Sequence, residues 1–163
     1  MKFEIKKLSQ ISGKRVTVYS IIPEGEPHTL FERFIHENLA AFPEPLEDIK
    51  NRIRVIAEVT GIRDDFFEKP EGKLGQDIVA LFDKKRKLRL YCMQIGHVVL
   101  ILGGGGPKTT RTLQEDPKLK SENAWIRKVC DALDRRIRDG EIRLVGMELT
   151  GDLIFDDDPM KVD

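Results

Sequence analysis

The chain has two cysteines in 163 residues, Cys92 and Cys130, and their separation matches no zinc spacing and no redox motif. Its apolar runs, such as Val98 to Leu102, fall far short of the roughly 20 residues that a membrane helix needs. Charges recur at Lys2, Glu4, Lys6 and Lys7, so no basic-then-apolar signal sequence opens the chain. These absences point to a cytoplasmic protein without a membrane segment. Net charge is also absent: 28 Lys and Arg balance 28 Asp and Glu, and the pI is about 6.8. That excludes the strongly basic profile of most nucleic-acid binders, though not a local basic patch. His28, His36 and His97 form no His-x-His or His-x-x-x-His pair, which argues against a metal site. There is no Gly-x-Ser-x-Gly elbow. There is no Walker A loop either, because Pro107 stands where that motif needs the glycine before Lys-Thr. No cofactor is implied.

A length of 163 residues suits one domain, and folding can bury on the order of 70% of the surface exposed by the unfolded chain. Charged residues make up 34%, and they are unevenly placed. Lys84, Lys85, Arg86, Lys87 and Arg89 lie together without an acid, whereas Asp156, Asp157 and Asp158 crowd the C-terminus. Segregated patches create fields that an even mixture does not.

The periodicity predicts an N-terminal hairpin. Phe3, Ile5 and Leu8 lie before Ser12-Gly13-Lys14, and the alternating stretch Arg15 to Tyr19 follows. Thr29 and Glu32 form a capping box ahead of Phe31, Phe34, Ile35 and Leu39 at helical spacing. Pro43 stops that helix. A second one starts near Pro45, carries Leu46, Ile49, Ile53, Ile56 and Ala57, and ends at Gly61, which implies an antiparallel helix pair. Three strands in series follow, over 78–82, 88–92 and 97–102, and read as an antiparallel meander. Asp116 and Pro117 open a long helix that turns Leu119, Ile126, Val129, Leu133 and Ile137 inward and ends at Gly140. A last strand pair, 142–149 and 153–155, is predicted to turn at Thr150-Gly151-Asp152. The segregated order predicts an α+β fold in which a twisted antiparallel sheet packs with a helix pair and a long C-terminal helix.

Two stretches carry candidate chemistry. Strand alternation puts Lys87, Arg89 and Tyr91 on one face of 88–92 and Leu88, Leu90 and Cys92 on the other. An ammonium, a guanidinium and a phenol in that row can hold a phosphodiester; they equally fit a solvated sheet face with Arg89 lying over Tyr91. The run Gly103 to Gly106, followed by Pro107, Lys108, Thr109, Thr110 and Arg111, can present backbone N–H groups to an anion. Gly104 and Gly105 would supply the amides there, with Lys108, Thr109 and Arg111 completing the site. The same glycines fit a backbone that passes beneath a packed neighbour. Both cysteines read as core residues. Trp125 reads as packing or an interface anchor, and the acidic run as a solvated tail or as a cover for the basic strand.

From Ile78 to Lys128 this pattern resembles the RelE/HigB/ParE superfamily of small bacterial toxins. The resemblance is carried by a helix pair ahead of an antiparallel sheet, by Leu88-Arg89-Leu90-Tyr91-Cys92, and by a strand leading into Gly-Gly-Gly-Gly-Pro107-Lys108 and a helix. It implies one RelE-like α+β domain over 1–163, to which the N-terminal hairpin and C-terminal strands are extensions. It further implies a toxin–antitoxin component that cuts messenger RNA on the ribosome without a metal, held in check by a helix-turn-helix, DNA-binding antitoxin. On that resemblance Arg89 stabilises the phosphorane and Lys108 holds or protonates the leaving side. Tyr91 acts as acid or stacks, and Lys87 and Arg111 grip the backbone. The alternative is a non-catalytic module on the same scaffold, binding a protein or a small anion through the glycine-rich loop.

Overall fold

Alternation and β-branching build the strands, and their apolar residues fall on both faces of one sheet. The computed structural model describes residues 2–68, 77–108 and 116–156. Its principal strands are β1 (Phe3–Lys7), β2 (Thr17–Pro23), β4 (Ile78–Phe82), β5 (Leu88–Ile95) and β6 (Val99–Pro107). Two-residue strands β3 (Phe67–Glu68) and β9 (Ile154–Phe155) close its edges, giving the order β3-β4-β5-β6-β2-β1-β9. All neighbours run antiparallel except β2 and β6, which pair in parallel from Thr17↔Val99 to Ser20↔Leu102. The meander β4-β5-β6 is as the sequence predicts. Its β5–β6 turn places Gly96 and His97 at positive φ, 58° and 60°, as tight hairpin turns favour. The N-terminal hairpin does not hang outside this sheet: β2 lies in its interior, between β6 and β1.

Helices cover both faces. Helix α1 (Leu30–Asn38) and α2 (Pro43–Val55) place Phe31, Phe34, Leu46, Ile49 and Ile53 against Val16, Val18, Leu81, Leu88, Leu90, Cys92, Leu100 and Leu102. Helix α3 (Pro117–Arg138) covers the other side, packing Leu119, Ile126, Val129 and Leu133 on Tyr19, Ala80, Tyr91, Met93 and Ile101. Double coverage explains why β4, β5 and β6 are nearly continuous apolar runs rather than simple alternations. The result is a mixed α+β fold with a large, mostly antiparallel sheet. Among the described residues no helix is long and apolar enough to cross a membrane.

Local chemistry sets the helix ends. The Glu32 amide donates to Thr29 Oγ1 and the Thr29 amide to Glu32 Oε1, each at 3.1 Å, which completes the capping box. Helix α2 starts two residues before the expected Pro45, because Pro43 takes the first helical position, where no N–H is needed. Its C-terminal end widens into a π turn, Ile56–Thr60, closed at Gly61. The widening leaves the Ala57 carbonyl free to accept the amides of Arg15 (2.8 Å) and Val16 (3.2 Å), which ties the β1–β2 connection to the helix. Asp116 caps α3 by accepting the Leu119 amide at 3.1 Å.

The C-terminal strands differ from expectation. Strands β7 (Ile142–Val145) and β8 (Glu148–Gly151) form their own hairpin, turning at Gly146 and Met147 rather than at residues 150–152. Gly146, at φ 60°, allows that turn. The buried Tyr19 hydroxyl accepts the Leu149 amide at 2.9 Å and fixes the hairpin to the sheet. Residues 152–155 then return to β1, where Phe155 stacks on Phe3 at 4.6 Å. Arg136 of α3 holds this return by donating to the carbonyls of Asp152 (2.8 Å) and Ile154 (2.7 Å).

At Gly13 a Cβ would lie 2.5 Å from the Ala57 carbonyl oxygen, in the π-turn junction. Gly13→Ala is expected to destabilise the fold by about 1–3 kcal/mol through this overpacking. The loss should appear as a lower urea midpoint at unchanged slope; an unchanged midpoint would refute the close approach.

Candidate functional site

Register brings together what alternation alone does not. Arg89 pairs with Phe82 across β4–β5 and with Gly106 across β5–β6. Its guanidinium lies 4.7 Å from the centre of the Phe82 ring, and Lys108 Nζ lies 5.9 Å from the same centre. Arg86, in the β4–β5 turn, reaches this ring at 4.9 Å and pairs with Glu68. Three cations therefore share one aromatic platform, which each attracts through the ring quadrupole. Among the described residues neither Arg89 nor Lys108 has a carboxylate at ion-pair distance.

Tyr91 is not on an open face. Helix α3 covers that side of the sheet and leaves Tyr91 0% exposed. Its hydroxyl accepts a long hydrogen bond, 3.4 Å, from Arg89 Nη1. Burial pushes the phenol pKa above its ordinary value, against the opposing pull of the Arg89 charge. The group stays protonated across the physiological range and cannot stack on a ligand base. Its position suits it to orient Arg89, which is half-buried and whose Nε has no hydrogen-bond partner.

The glycine run is a strand, not a loop. Gly103 to Gly106 are buried within β6, with Gly105 opposite Leu90 and Gly106 opposite Arg89. Between Leu90↔Gly105 and Cys92↔Leu102 the register slips by one, so Gly103 and Gly104 together oppose Tyr91 as a bulge. The β2 ladder ends at Leu102, and past this point α1 and α3 meet across β6. Arg33 of α1 pairs with Glu122 of α3. Lys118 donates to Glu122 at 2.8 Å and to Glu37 at 3.2 Å. The Glu122 side chain is only 4% exposed, and its Oε2 rests directly over Gly104. The ground over Gly104 is thus held by a carboxylate, which opposes an anion there. Beneath packed neighbours, glycine is the residue that fits.

The other candidates separate. The Lys108 amide donates to the Lys87 carbonyl at 3.0 Å, but Lys87 lines a groove near α2 instead of extending the Arg89 row. Thr109 and Arg111 lie outside the described residues. Cys92 and Cys130 are buried. Their thiols are pushed well up by desolvation, that of Cys130 to about 12, so neither is a nucleophile. Trp125 meets Phe3 edge-on at 6.4 Å. Among the described residues no group of three or more His, Cys, Asp or Glu side chains is placed to hold a metal ion. Sequence reasoning missed Phe82 as the platform. Its one signal, a place at the end of an apolar strand beside the basic run, does not give the register that puts it opposite Arg89.

A comparison with known proteins finds no matching family model, no matching curated protein and no matching solved structure.

A Cβ on Gly105 would run into the Arg89 backbone carbonyl, whereas one on Gly104 would meet the Glu122 side chain, which can move. Gly105→Ala is therefore expected to destabilise more than Gly104→Ala, with both losses on the order of 1–3 kcal/mol. Paired urea denaturation curves check the order. Equal stability with weakened anion binding would restore the anion-loop reading of Gly104 and Gly105.

Proposed function

We propose that this chain is a toxin-like protein of the RelE/HigB/ParE kind that acts on RNA through Arg89 and Lys108. The observation that carries the reading is the convergence of these two cations on Phe82 without a carboxylate partner. The order of a helix pair, a three-strand meander and a long helix supports it. In the reaction, a ribose 2′-hydroxyl gives up its proton to water as it attacks the adjacent phosphorus, and the bond to the 5′-oxygen breaks, leaving a 2′,3′-cyclic phosphate and a 5′-hydroxyl. Arg89 neutralises the charge that develops on the phosphorane, and Lys108 holds the leaving oxygen or gives it a proton. Preorganised cations at a developing charge commonly make the largest single catalytic contribution. Tyr91 is a positioning residue in this scheme, and Lys87 and Arg111 contact the backbone. A DNA-binding, helix-turn-helix antitoxin is the partner that such an activity requires.

The complete burial of Tyr91 favours a second reading, a module that binds RNA phosphate through the same cations without cutting it.

Induction of the chain in a bacterial culture separates the two. Cleavage predicts growth arrest with new RNA ends, relieved by Arg89→Ala or Lys108→Ala; in vitro, Arg89→Ala should slow cutting by about 10²–10³-fold. Tyr91→Phe should retain activity within about fivefold, because it loses only a long hydrogen bond that orients Arg89. Normal growth with RNA retained by the wild type and lost by Arg89→Ala would establish the binding module. Normal growth without RNA binding would sink both.

A further inference from the structure

Beside the Phe82 platform, on the α2 side of the sheet, lies a groove of about 550 Å³, within the range of small-ligand sites. One wall is apolar: Phe42, half-buried against the core, with Pro43 and Pro45 from the first turn of α2. The facing wall carries Lys84, Lys85 and Lys87, all exposed. Of the three acids that line it, Asp83 and Asp48 are engaged by the fold, while Glu44, in the first turn of α2, is exposed. Asp83 is buried and accepts the amides of Leu88 (2.8 Å) and Lys85 (3.2 Å). Asp48 accepts the Lys84 amide and pairs with Arg52 at 3.6 Å. Among the described residues the three lysines have no ion-pair partner. The Lys108–Lys87 backbone hydrogen bond puts this groove and the Arg89–Lys108 cluster at the same end of β5 and β6.

We propose that this groove is a nucleotide subsite. It holds one residue of a single RNA strand, with the base against Phe42 and Pro43 and the phosphate among Lys84, Lys85 and Lys87. The proposal rests on the RNA reading of Arg89 and Lys108. An aromatic wall facing a cluster of unpaired cations, in a space of this size, matches a base and its phosphate. The two sites lie toward opposite faces of the sheet, so a chain visiting both must turn sharply about the end of β5. A single strand does this readily; a duplex, stiff over about 150 base pairs, does not.

The test is fluorescence anisotropy with a short, unstructured, 2′-O-methyl oligoribonucleotide, which lacks the attacking hydroxyl and stays intact. Phe42→Leu keeps apolar packing but removes the stacking face, and it should weaken binding about tenfold. Combined Lys84→Ala, Lys85→Ala and Lys87→Ala should weaken it further and reduce the slope of log affinity against log salt by about 0.7, the share of one phosphate of a single strand. Thermal midpoints near that of the wild type show that the variants fold. Suppose both variants bind like wild type while Arg89→Ala binds weakly: the subsite is then overturned and the RNA reading stands. If the lysine variant weakens but Phe42→Leu does not, the groove takes only phosphate, and the nucleotide subsite is likewise overturned. If the wild-type chain does not bind at all, the RNA reading itself fails, and the subsite with it.

Discussion

Where β2 leaves β6, the two helix layers touch. The parallel ladder ends at Ser20↔Leu102, and the Ser20 hydroxyl closes it by donating to the Leu102 carbonyl at 2.7 Å and accepting the Phe31 amide at 3.2 Å. Beyond that point β6 continues to Pro107 without β2 beside it, and Arg33 of α1 reaches Glu122 of α3 across the strand. The glycine run is the steric consequence, since a side chain at Gly104 would displace Glu122 and one at Gly103 would crowd Ile126. Glu122 in turn sits in a setting where a lone carboxylate would be costly, and contacts from Arg33 and Lys118 stabilise it.

The same closeness decides what happens to the candidate chemistry. Because α3 lies hard against β6, the bulge at Gly103 and Gly104 opposes Tyr91 under the helix, and the phenol is sealed from solvent. Two residues away along β5, Arg89 comes out at the edge of that cover, with its guanidinium between Phe82 and Tyr91. The crowded region thus removes one expected reactive group and stiffens another. A guanidinium held by two rings and a hydroxyl loses less rotamer entropy when an anion arrives than a free surface arginine does.

Much of the fold was legible in the sequence because local signals agree with the tertiary structure. Thr29 with Glu32, Asp116 with Pro117, and the three serial strands each specify their element through neighbouring residues alone. The parts that were not legible depend on distant pairing. Alternation shows that Arg89 and Tyr91 share a face, but not that α3 covers it. Four glycines after an apolar run read as a loop, because only the meeting of α1 and α3 makes them a strand. The C-terminal turn was misplaced because Thr150-Gly151-Asp152 is as good a turn sequence as the true one at Gly146 and Met147. Of the candidate site, Arg89 and Lys108 emerge together, while Lys87 goes to the groove and Tyr91 to the core.

A neutral chain can still present a positive surface if its acids are engaged locally. At the Gly104 end of β6, Glu37 and Glu122 are matched by Arg33 and Lys118, so that region is nearly balanced. At the β4–β5 turn the balance fails. Glu68 takes Arg86 and Asp48 takes Arg52, while Asp83 is turned inward to the backbone. Among the described residues Lys84, Lys85, Lys87, Arg89 and Lys108 remain without an ion-pair partner, and of the acids lining the groove Glu44 alone is left exposed. The pI of the whole chain therefore says little about this end of the sheet, where the field is set by which carboxylates the fold has already used.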